Sequence, residues 1–379
     1  GSSLVGSEMC IRDSMFIDKL EKLHHQLIEN NLDAFVIIPG SNFRYLTGGD
    51  FHLMERPTAL IISKNQKPLA ILPVLEVDSF RKLNIDAEIF QWQDSDGYQD
   101  AFNKAFEKIK NCKSLGVEGQ RMRVFEYEAI KNANKDLNIS NAQRIISNIR
   151  LRKNSDDVEN LQKAIKIAET TLANTINYVE IGKSEIEIKN FLLQQLYENG
   201  AEGIAFDPIV LAGANSALPH GHSSNDYFLK DGDCLLFDFG AVVNGYNSDI
   251  TRTFFVGSAS DEQKNFYDAV LKANKLGLSI SKPNLTMHNL DDSVLNSLED
   301  SGYKDYIVHK TGHGLGLDVH EDPYIMRKNN ELLEEGMVIT IEPGLYKQGD
   351  LGVRIEDDVL ITNDGCKSLT TFSKELRII

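Results

Sequence analysis

Two apolar, strand-like segments in the second half of the chain each contain an aspartate. Asp238 lies within Leu235–Val243. Asp249 lies within Tyr246–Phe255. An ionised carboxylate inside an apolar strand is costly unless it is paired, protonated or bound to a metal ion. Because leucine and phenylalanine flank these acids, a pair of exposed surface residues is a poor alternative, and we interpret both aspartates as metal ligands.

A hairpin would bring the two aspartates together. Asn244-Gly245, between the segments, is the dipeptide favoured in a two-residue type I′ turn. With that turn Gly240 opposes Asp249, and Asp238 becomes a diagonal neighbour of Asp249 with Cα atoms roughly 7–8 Å apart. We expect Gly240 to leave open the space between the carboxylates. Since like charges repel, a bridging divalent cation is the simplest compensation.

Two strand-like segments near the C-terminus also contain an acid among apolar residues. Residues 338–344 carry Glu342. Residues 353–358 carry Glu356, and alternation puts Arg354 on the same face of that strand. Glu342 taken alone could equally be an edge-strand acid, and Arg354 could be only a salt-bridge partner of Asp358 or Glu356.

A glycine-rich segment separates the two acid pairs along the chain. Residues 311–316 are Thr-Gly-His-Gly-Leu-Gly, which predicts a turn that lets the His313 ring approach a ligand closely. Phosphate binding is a poor alternative because the Lys-Ser/Thr ending of a phosphate-binding loop is absent.

Together these segments supply a ligand set for two metal ions. The potential ligands are Asp238, Asp249, His313, Glu342 and Glu356. Four carboxylates are neutralised by two divalent cations, and one imidazole among oxygen donors favours Mn²⁺, Fe²⁺ or Co²⁺ and admits Zn²⁺. Two such ions about 3.5–4 Å apart lower the pKa of a shared water and supply hydroxide at neutral pH. The implied reaction is hydrolysis.

The elements that position these residues divide the chain into three parts. Residues 1–14 lack an amphipathic period, and we expect a disordered leader that precedes the natural start at Met15. Residues 15–149 alternate helical and strand-like segments, which predicts a smaller α/β domain. Residues 150–379 begin in the basic run that includes Arg152 and predict an α+β domain.

Several elements can be placed from periodicity and capping residues. In the first domain we predict strands at 34–38, 59–62, 69–72 and 115–117 and helices at 98–109 and 124–134. In the second domain, Asn154 or Ser155 would cap a long amphipathic helix, and Ser184 and Ser260 would each open a capping box. A further helix is expected at 288–298.

Composition limits the partners of the chain. Its 379 residues are 41% apolar and 25% charged, with a net charge of -16, which describes a globular protein and argues against nucleic acid or an anionic membrane as partner. No apolar run approaches the roughly 18 residues of a membrane span. Cys10, Cys112, Cys234 and Cys366 are too scattered for a disulfide framework, so we expect free thiols and a cytoplasmic location.

The motifs resemble those of the pita-bread-fold metallopeptidases, in particular the proline-specific branch of Xaa-Pro dipeptidases (prolidases) and Xaa-Pro aminopeptidases. The matching segments are 236–240, 248–253, 311–316, 320–323, 341–344 and 353–357, with a weaker match at 41–48. The resemblance implies an α+β fold, with a C-terminal pita-bread (creatinase/aminopeptidase-like) catalytic domain after a smaller α/β creatinase/prolidase-like domain.

The resemblance also assigns roles. It implies that the dimetal ligands are Asp238, Asp249, His313, Glu342 and Glu356, two Mn²⁺ ions being the first expectation. Glu342 would in addition accept the proton of the bridging water. His220 would contact the substrate near the scissile bond, His320 would stabilise the tetrahedral intermediate or move a proton, and Arg354 would orient the substrate.

The reaction implied is attack of a metal-bridging hydroxide on the carbonyl that precedes proline, in a dipeptide or short peptide. The compact length favours a dipeptidase over an aminopeptidase acting on longer peptides. Methionine aminopeptidase, a creatinase-like amidinohydrolase without metals and a non-catalytic binding protein of the same fold are further alternatives. All expected ligands and both His220 and His320 are retained, which argues against the last two. Resemblance also suggests a homodimer in which the loop Gly48–Pro57 reaches the neighbouring pocket.

Overall fold

The computed structural model describes residues 2–64 and 66–379, with side chains from Phe16 onward. The chain divides into two compact units, Gly1–Arg150 and Leu151–Ile379. The leader predicted for residues 1–14 lies outside the described side chains. Within the described ranges, the structure contains no helix whose length and apolar content would suit a membrane crossing.

The first unit is built on one mixed six-stranded sheet with the order β4-β3-β2-β1-β5-β6. Its strands are β1 (Ala34–Ile37), β2 (Ala59–Ser63), β3 (Leu69–Pro73), β4 (Glu88–Trp92), β5 (Ser114–Val117) and β6 (Asn138–Asn141). Its helices are α1 (Ser2–Glu29), α2 (Ser41–Thr47), α3 (Val74–Arg81), α4 (Gln99–Lys108), α5 (Val124–Ala133) and α6 (Gln143–Arg150). The α/β alternation is confirmed, while α2, α3, α6, β4 and β6 were not predicted.

The second unit combines helices with several small sheets. Its helices are α7 (Ser155–Ile176), α8 (Glu185–Glu198), α9 (Asp261–Ile280) and α10 (Met287–Leu298), with shorter turns at Gly213–Ala217, Glu299–Tyr303 and Lys304–Tyr306. Its first strands are β7 (Gly203–Ile204), β8 (Ile209–Ala212), β9 (Cys234–Phe239), β10 (Ala241–Val243), β11 (Tyr246–Asn247) and β12 (Ile250–Phe255). The remaining strands are β13 (Gly312–Gly314), β14 (Glu321–Ile325), β15 (Val338–Ile341), β16 (Gly344–Lys347), β17 (Leu351–Arg354), β18 (Asp357–Ile361) and β19 (Cys366–Ser368).

Sheet order in this unit brings distant segments together. The sheets are β11-β10-β7, β12-β9-β8, β14-β13-β15-β18-β19 and β16-β17. The predicted helix starts are confirmed, since Asn154, Ser184 and Ser260 each accept a backbone N–H of the first turn and complete a capping box. Each such cap stabilises its helix by about 1 kcal/mol.

Strand β9 has one apolar face and one face that carries Asp238, because successive side chains alternate between the two faces of a strand. Phe237 and Phe239 pack into an apolar cluster that includes Leu172 of α7 and Ile188 of α8. Asp238, between them, therefore points to the opposite face of the sheet. The buried phenylalanines fix the register of β9, because a slip of one residue would bring the carboxylate into the apolar cluster.

The predicted hairpin register is present, but the hairpin is not continuous. Val243 pairs with Tyr246 at the turn, and Thr251 pairs with Asp238 further along, so Asp249 is diagonal to Asp238 as expected. The strands break on either side of Gly240 and before Ile250. The predicted reason for Gly240 was wrong: a Cβ there would lie 1.7 Å from the Ser248 carbonyl oxygen, so the glycine admits a crossing backbone rather than an open space.

Three other predictions of local structure were also wrong in detail. Glu342 lies between β15 and β16, and Glu356 lies between β17 and β18, so neither glutamate is inside a continuous strand. His313 is on strand β13 rather than on a turn. A Cβ at Gly312 would lie 2.0 Å from the Thr340 carbonyl oxygen, so this glycine allows close strand packing.

Candidate metal centre and active site

A cavity of about 950 Å³ in the second unit collects the side chains that the sequence singled out. Its walls include every predicted site residue, namely His220, Asp238, Asp249, His313, His320, Glu342, Arg354 and Glu356. They come from strands, strand breaks and loops spread over more than one hundred positions of the chain. The fold therefore brings together residues that are far apart in sequence.

Side-chain atoms in the cavity wall lie close enough to share metal ions. Within each of three overlapping groups, one ligand atom from every residue lies within 4.8 Å of the others. The groups are Asp238, Asp249 and Glu356; His313, Glu342 and Glu356; and Asp249, His313 and His320. The five predicted ligands all belong to these groups, and His320 is an additional member.

The hydrogen bonds of the acids fit a bound cation. Asp238 Oδ1, Asp249 Oδ1 and Glu356 Oε1 are buried and have no hydrogen-bond partner among the described residues. A buried carboxylate oxygen without a donor is expensive, and divalent cations prefer such oxygens as ligands. The donor set therefore suits hard or intermediate divalent ions.

The orientation of His313 points to the same conclusion. Its Nδ1 lies 3.1 Å from the Gly314 carbonyl oxygen, which can only accept, so Nδ1–H is the donor. In the neutral ring Nε2 then presents its lone pair to Glu342 Oε1 at 3.3 Å and to Asp249 Oδ2 at 3.8 Å. A lone pair facing two carboxylates is the arrangement in which a cation would be held between them.

Burial and mutual repulsion raise the pKa values of two of the acids in the metal-free protein. Burial, followed by the charges of Glu356 and Asp238, raises the pKa of Asp249 well above its ordinary value. Burial and the charge of Glu342 likewise raise the pKa of Glu356.

Arg354 is held inside the protein by three partners. Its Nη2 forms an ion pair with Asp238, its Nη1 donates to the Tyr346 hydroxyl at 2.6 Å and its Nε donates to Thr251 Oγ1 at 3.0 Å. The alternative weighed from sequence was a salt bridge to Asp358 or Glu356, and the acid actually paired is Asp238. Arg354 offsets one of the four negative charges in the cavity.

The two histidines predicted to contact substrate lie at the mouth of the cavity. Both His220 and His320 are exposed. The His320 ring lies 4.1 Å from the His313 ring, measured between centroids. Burial of part of the ring and the neighbouring His313 lower the pKa of His320 to about 4, so its imidazole is neutral at physiological pH.

Comparison with known proteins gives the family. Residues 159–363 match the metallopeptidase family M24, and residues 19–152 match the creatinase/prolidase N-terminal domain. The chain belongs to metallopeptidase family M24. This confirms the resemblance noted from the motifs and the predicted fold, a pita-bread catalytic domain preceded by an α/β domain.

Three relatives illustrate the similarity, which extends over nearly the whole chain. The Xaa-Pro dipeptidase of Pyrococcus furiosus is 36% identical over 95% of this chain and 99% of the relative. The structure of the Xaa-Pro dipeptidase from Bacillus anthracis has a TM-score of 0.88 at 33% identity, covering 96% of this chain and 100% of that one. The X-Pro aminopeptidase structure from Thermotoga maritima has a TM-score of 0.83 at 32% identity, covering 95% and 99%.

Several residues of this M24 site were missed from sequence. His309 was not among the predicted site residues, yet it lies in the cavity wall, where its Nδ1–H donates to the Lys310 carbonyl and its Nε2 accepts from the Tyr346 hydroxyl at 2.8 Å. Tyr346 is thereby fixed between His309 and Arg354. Nothing in the local sequence indicates the link between His309 and Tyr346, because the two residues lie 37 positions apart in the chain.

Thr251 could have been found from the hairpin register. It pairs directly with Asp238, and its hydroxyl donates to Glu356 Oε2 at 2.7 Å while it accepts from Arg354 Nε. The threonine is fully buried. It therefore fixes the orientation of Glu356, a proposed metal ligand, through this hydrogen bond.

We expect Thr251→Val to weaken metal binding about tenfold to a hundredfold, because the isosteric change removes the hydroxyl that orients Glu356. Unfolding free energy should fall by about 1–3 kcal/mol, since the Arg354 donor loses its acceptor. Thr253→Val is the matched control: Thr253 is also buried, but its hydroxyl bonds the backbone of Arg354 and no proposed metal ligand. Calorimetric titration with Mn²⁺ should separate the two variants, and equal affinities would contradict the role of Thr251.

Proposed function

We propose that this protein is a dimetal hydrolase that cleaves the Xaa-Pro peptide bond of dipeptides. The observation that carries the proposal is the convergence of four acids and His313 in one cavity, three of the acids with an unsatisfied buried oxygen. The similarity to Xaa-Pro dipeptidases over at least 95% of the chain supports the substrate class.

The chain supplies a holder for two divalent ions. Asp238, Asp249, His313, Glu342 and Glu356 would be the ligands. When bound, the ions would supply Lewis acidity and activate water. Mn²⁺ is the proposed ion, supported by the mixture of carboxylate oxygens with one imidazole nitrogen, and Co²⁺, Fe²⁺ and Zn²⁺ are alternatives.

The side chains around the ligands have distinct tasks. Glu342 is a carboxylate at the edge of the proposed ligand set, 3.3 Å from His313 Nε2, and can accept a proton from the attacking water. His320 is neutral and can donate an N–H to the oxyanion that develops on the scissile carbonyl. His220, in the wall of the same cavity, would contact the substrate near the scissile bond.

The substrate bond explains why a dedicated enzyme is needed. An Xaa-Pro bond is a tertiary amide without an N–H, so a peptidase that recognises that donor cannot bind it productively. The proline nitrogen must be protonated as it leaves. Glu342, once it has received a proton, lies in the same cavity and can return it.

Aminopeptidase action on longer peptides is the second candidate. It is favoured by the similarity to the X-Pro aminopeptidase of Thermotoga maritima at 32% identity. The two activities differ in whether the cavity recognises a free carboxylate directly after proline.

The test compares Ala-Pro with an Xaa-Pro tripeptide and pentapeptide on protein loaded with Mn²⁺ or Co²⁺. We expect hydrolysis of Ala-Pro, slower cleavage of the longer peptides and loss of activity after chelation. Preference for the pentapeptide would favour the aminopeptidase. Failure on all three with metal demonstrably bound would refute the peptidase proposal.

We also propose a cytoplasmic homodimer. Cys112, Cys234 and Cys366 are free thiols, which suits a reducing compartment. In the loop Gly48–Pro57, Leu53 and Met54 are exposed apolar residues that could contact a second copy. A fully active monomer by light scattering would contradict the dimer.

A further inference from the structure

The cavity contains two side chains that carry a permanent positive charge, Arg354 and Lys310. Arg354 is committed to Asp238, Tyr346 and Thr251. Lys310 is in a different position: it lies in the loop before β13, at the wall of the cavity, and is half-buried.

Lys310 is held by an aromatic ring rather than by an acid. Its Nζ lies 5.5 Å from the centroid of the Tyr324 ring. Within residues 2–64 and 66–379 it forms no ion pair. A cation over an aromatic face is steadied, but its charge is not neutralised and its three N–H donors stay available.

The charge of Lys310 acts inside the catalytic part of the cavity. Its neighbours His309, His313 and His320 line the same cavity. Because Arg354 is paired with Asp238, Lys310 is the cation at this wall that an anionic ligand would meet.

We propose that Lys310 is the specificity residue that binds the free carboxylate of the proline in a dipeptide substrate. The inference rests on the proposed Xaa-Pro hydrolase function and goes beyond it by assigning the group that distinguishes dipeptides from longer peptides.

The chemistry of a dipeptide suits a cation at this place. A dipeptide carries its carboxylate directly after the proline ring, so that charge lies close to the scissile bond and enters the cavity with it. A longer peptide or a proline amide has a neutral amide at the same place and gains nothing from an ammonium group. A charge-assisted hydrogen bond from Lys310 therefore favours the dipeptide selectively.

The experiment compares Ala-Pro with its amide, Ala-Pro-NH₂, on the full-length, Mn²⁺-loaded protein. In Lys310→Met, which keeps the length of the side chain and removes its charge, kcat/KM for Ala-Pro should fall about tenfold to a hundredfold, mainly through KM. Cleavage of Ala-Pro-NH₂ should change less than twofold. Lys310→Arg should retain most of the preference for the free acid.

A control and a binding measurement complete the test. Lys272→Met makes the same change in net charge on the exposed side of α9 and should leave kcat/KM for both substrates unchanged. Binding of L-proline by calorimetry should weaken in Lys310→Met, whereas binding of prolinamide should not. This readout does not depend on turnover.

The outcomes separate the two proposals. If wild-type protein cleaves neither substrate although metal is bound, the proposed hydrolase function fails. The assignment of Lys310 fails alone if wild-type protein cleaves Ala-Pro but Lys310→Met lowers kcat/KM equally for Ala-Pro and Ala-Pro-NH₂. It also fails alone if Lys310→Met changes neither kcat/KM value and binds proline with unchanged affinity.

Discussion

Replacing Asp249 with asparagine is expected to abolish retention of divalent metal while making the metal-free protein more stable. Asp249 is buried beside Glu356 and Asp238, and these neighbours together with burial raise its pKa well above the ordinary value. Removing its charge relieves repulsion that only a cation otherwise compensates. We expect the unfolding free energy of the metal-free protein to rise by about 1–2 kcal/mol.

The stability gain should depend on pH in a defined direction. Because the folded-state pKa of Asp249 is raised, folded wild-type protein holds a proton that the unfolded chain has already released between the two pKa values. Raising the pH through this window destabilises the wild type but not Asp249→Asn. The difference between them should be largest above the folded pKa and should vanish below the ordinary aspartate pKa of 3.8.

Asp291 provides the matched control for this substitution. It is also buried, but its two carboxylate oxygens accept the backbone N–H groups of Thr311 and Arg327, each at 2.7 Å. Asp291→Asn should therefore destabilise the protein, with metal or without it. Denaturant unfolding of both variants over a pH series would test the difference. A metal-free Asp249→Asn less stable than wild type at pH 8 would contradict the account.

Replacing His320 with alanine is expected to leave metal binding intact and to lower kcat by about 10²–10³-fold. A neutral imidazole at the cavity mouth can donate to the developing oxyanion, and loss of such a donor removes stabilisation present only in the transition state. Retention of metal is a strict test, because a His320 nitrogen lies within 4.8 Å of ligand atoms of Asp249 and His313 and so could itself bind a metal ion.

Metal content decides between the two roles of His320. If it were a ligand, His320→Ala would lose metal together with activity. His288→Ala is the control, since His288 lies on α10 and accepts only the backbone N–H of Lys328. It should retain both metal and rate. Retention of metal by Asp249→Asn with its loss from His320→Ala would reverse our assignments.

The part of the site that was predictable from sequence depends on local rules. Asn244-Gly245 sets the turn, and the turn sets the register that makes Asp249 diagonal to Asp238. The breaks at Glu342 and Glu356 were not predictable, because the chain leaves one sheet for another there. That exchange depends on β15 pairing with β18, a contact between strands that are separated in the chain by β16 and β17.

In the first unit, too, elements that depend on local rules were predictable and elements that depend on tertiary contacts were not. Strands β1 and β2 are short apolar runs that are buried throughout, and periodicity finds them. Strand β6, Asn138–Asn141, contains one apolar residue and forms because parallel pairing with β5 is available. Tyr346 and Lys310 were missed for a related reason: their partners, His309 and Tyr324, are neighbours only in the folded chain.

The number of divalent ions that remain with the purified chain tests the central claim most directly. Protein stripped with chelator, reloaded with excess Mn²⁺ and passed through a desalting column should carry two ions per chain by elemental analysis, whereas Asp249→Asn should carry fewer than one. Wild-type protein that retains no ion, and whose four cavity acids titrate as an unrelated set of surface carboxylates, would contradict it.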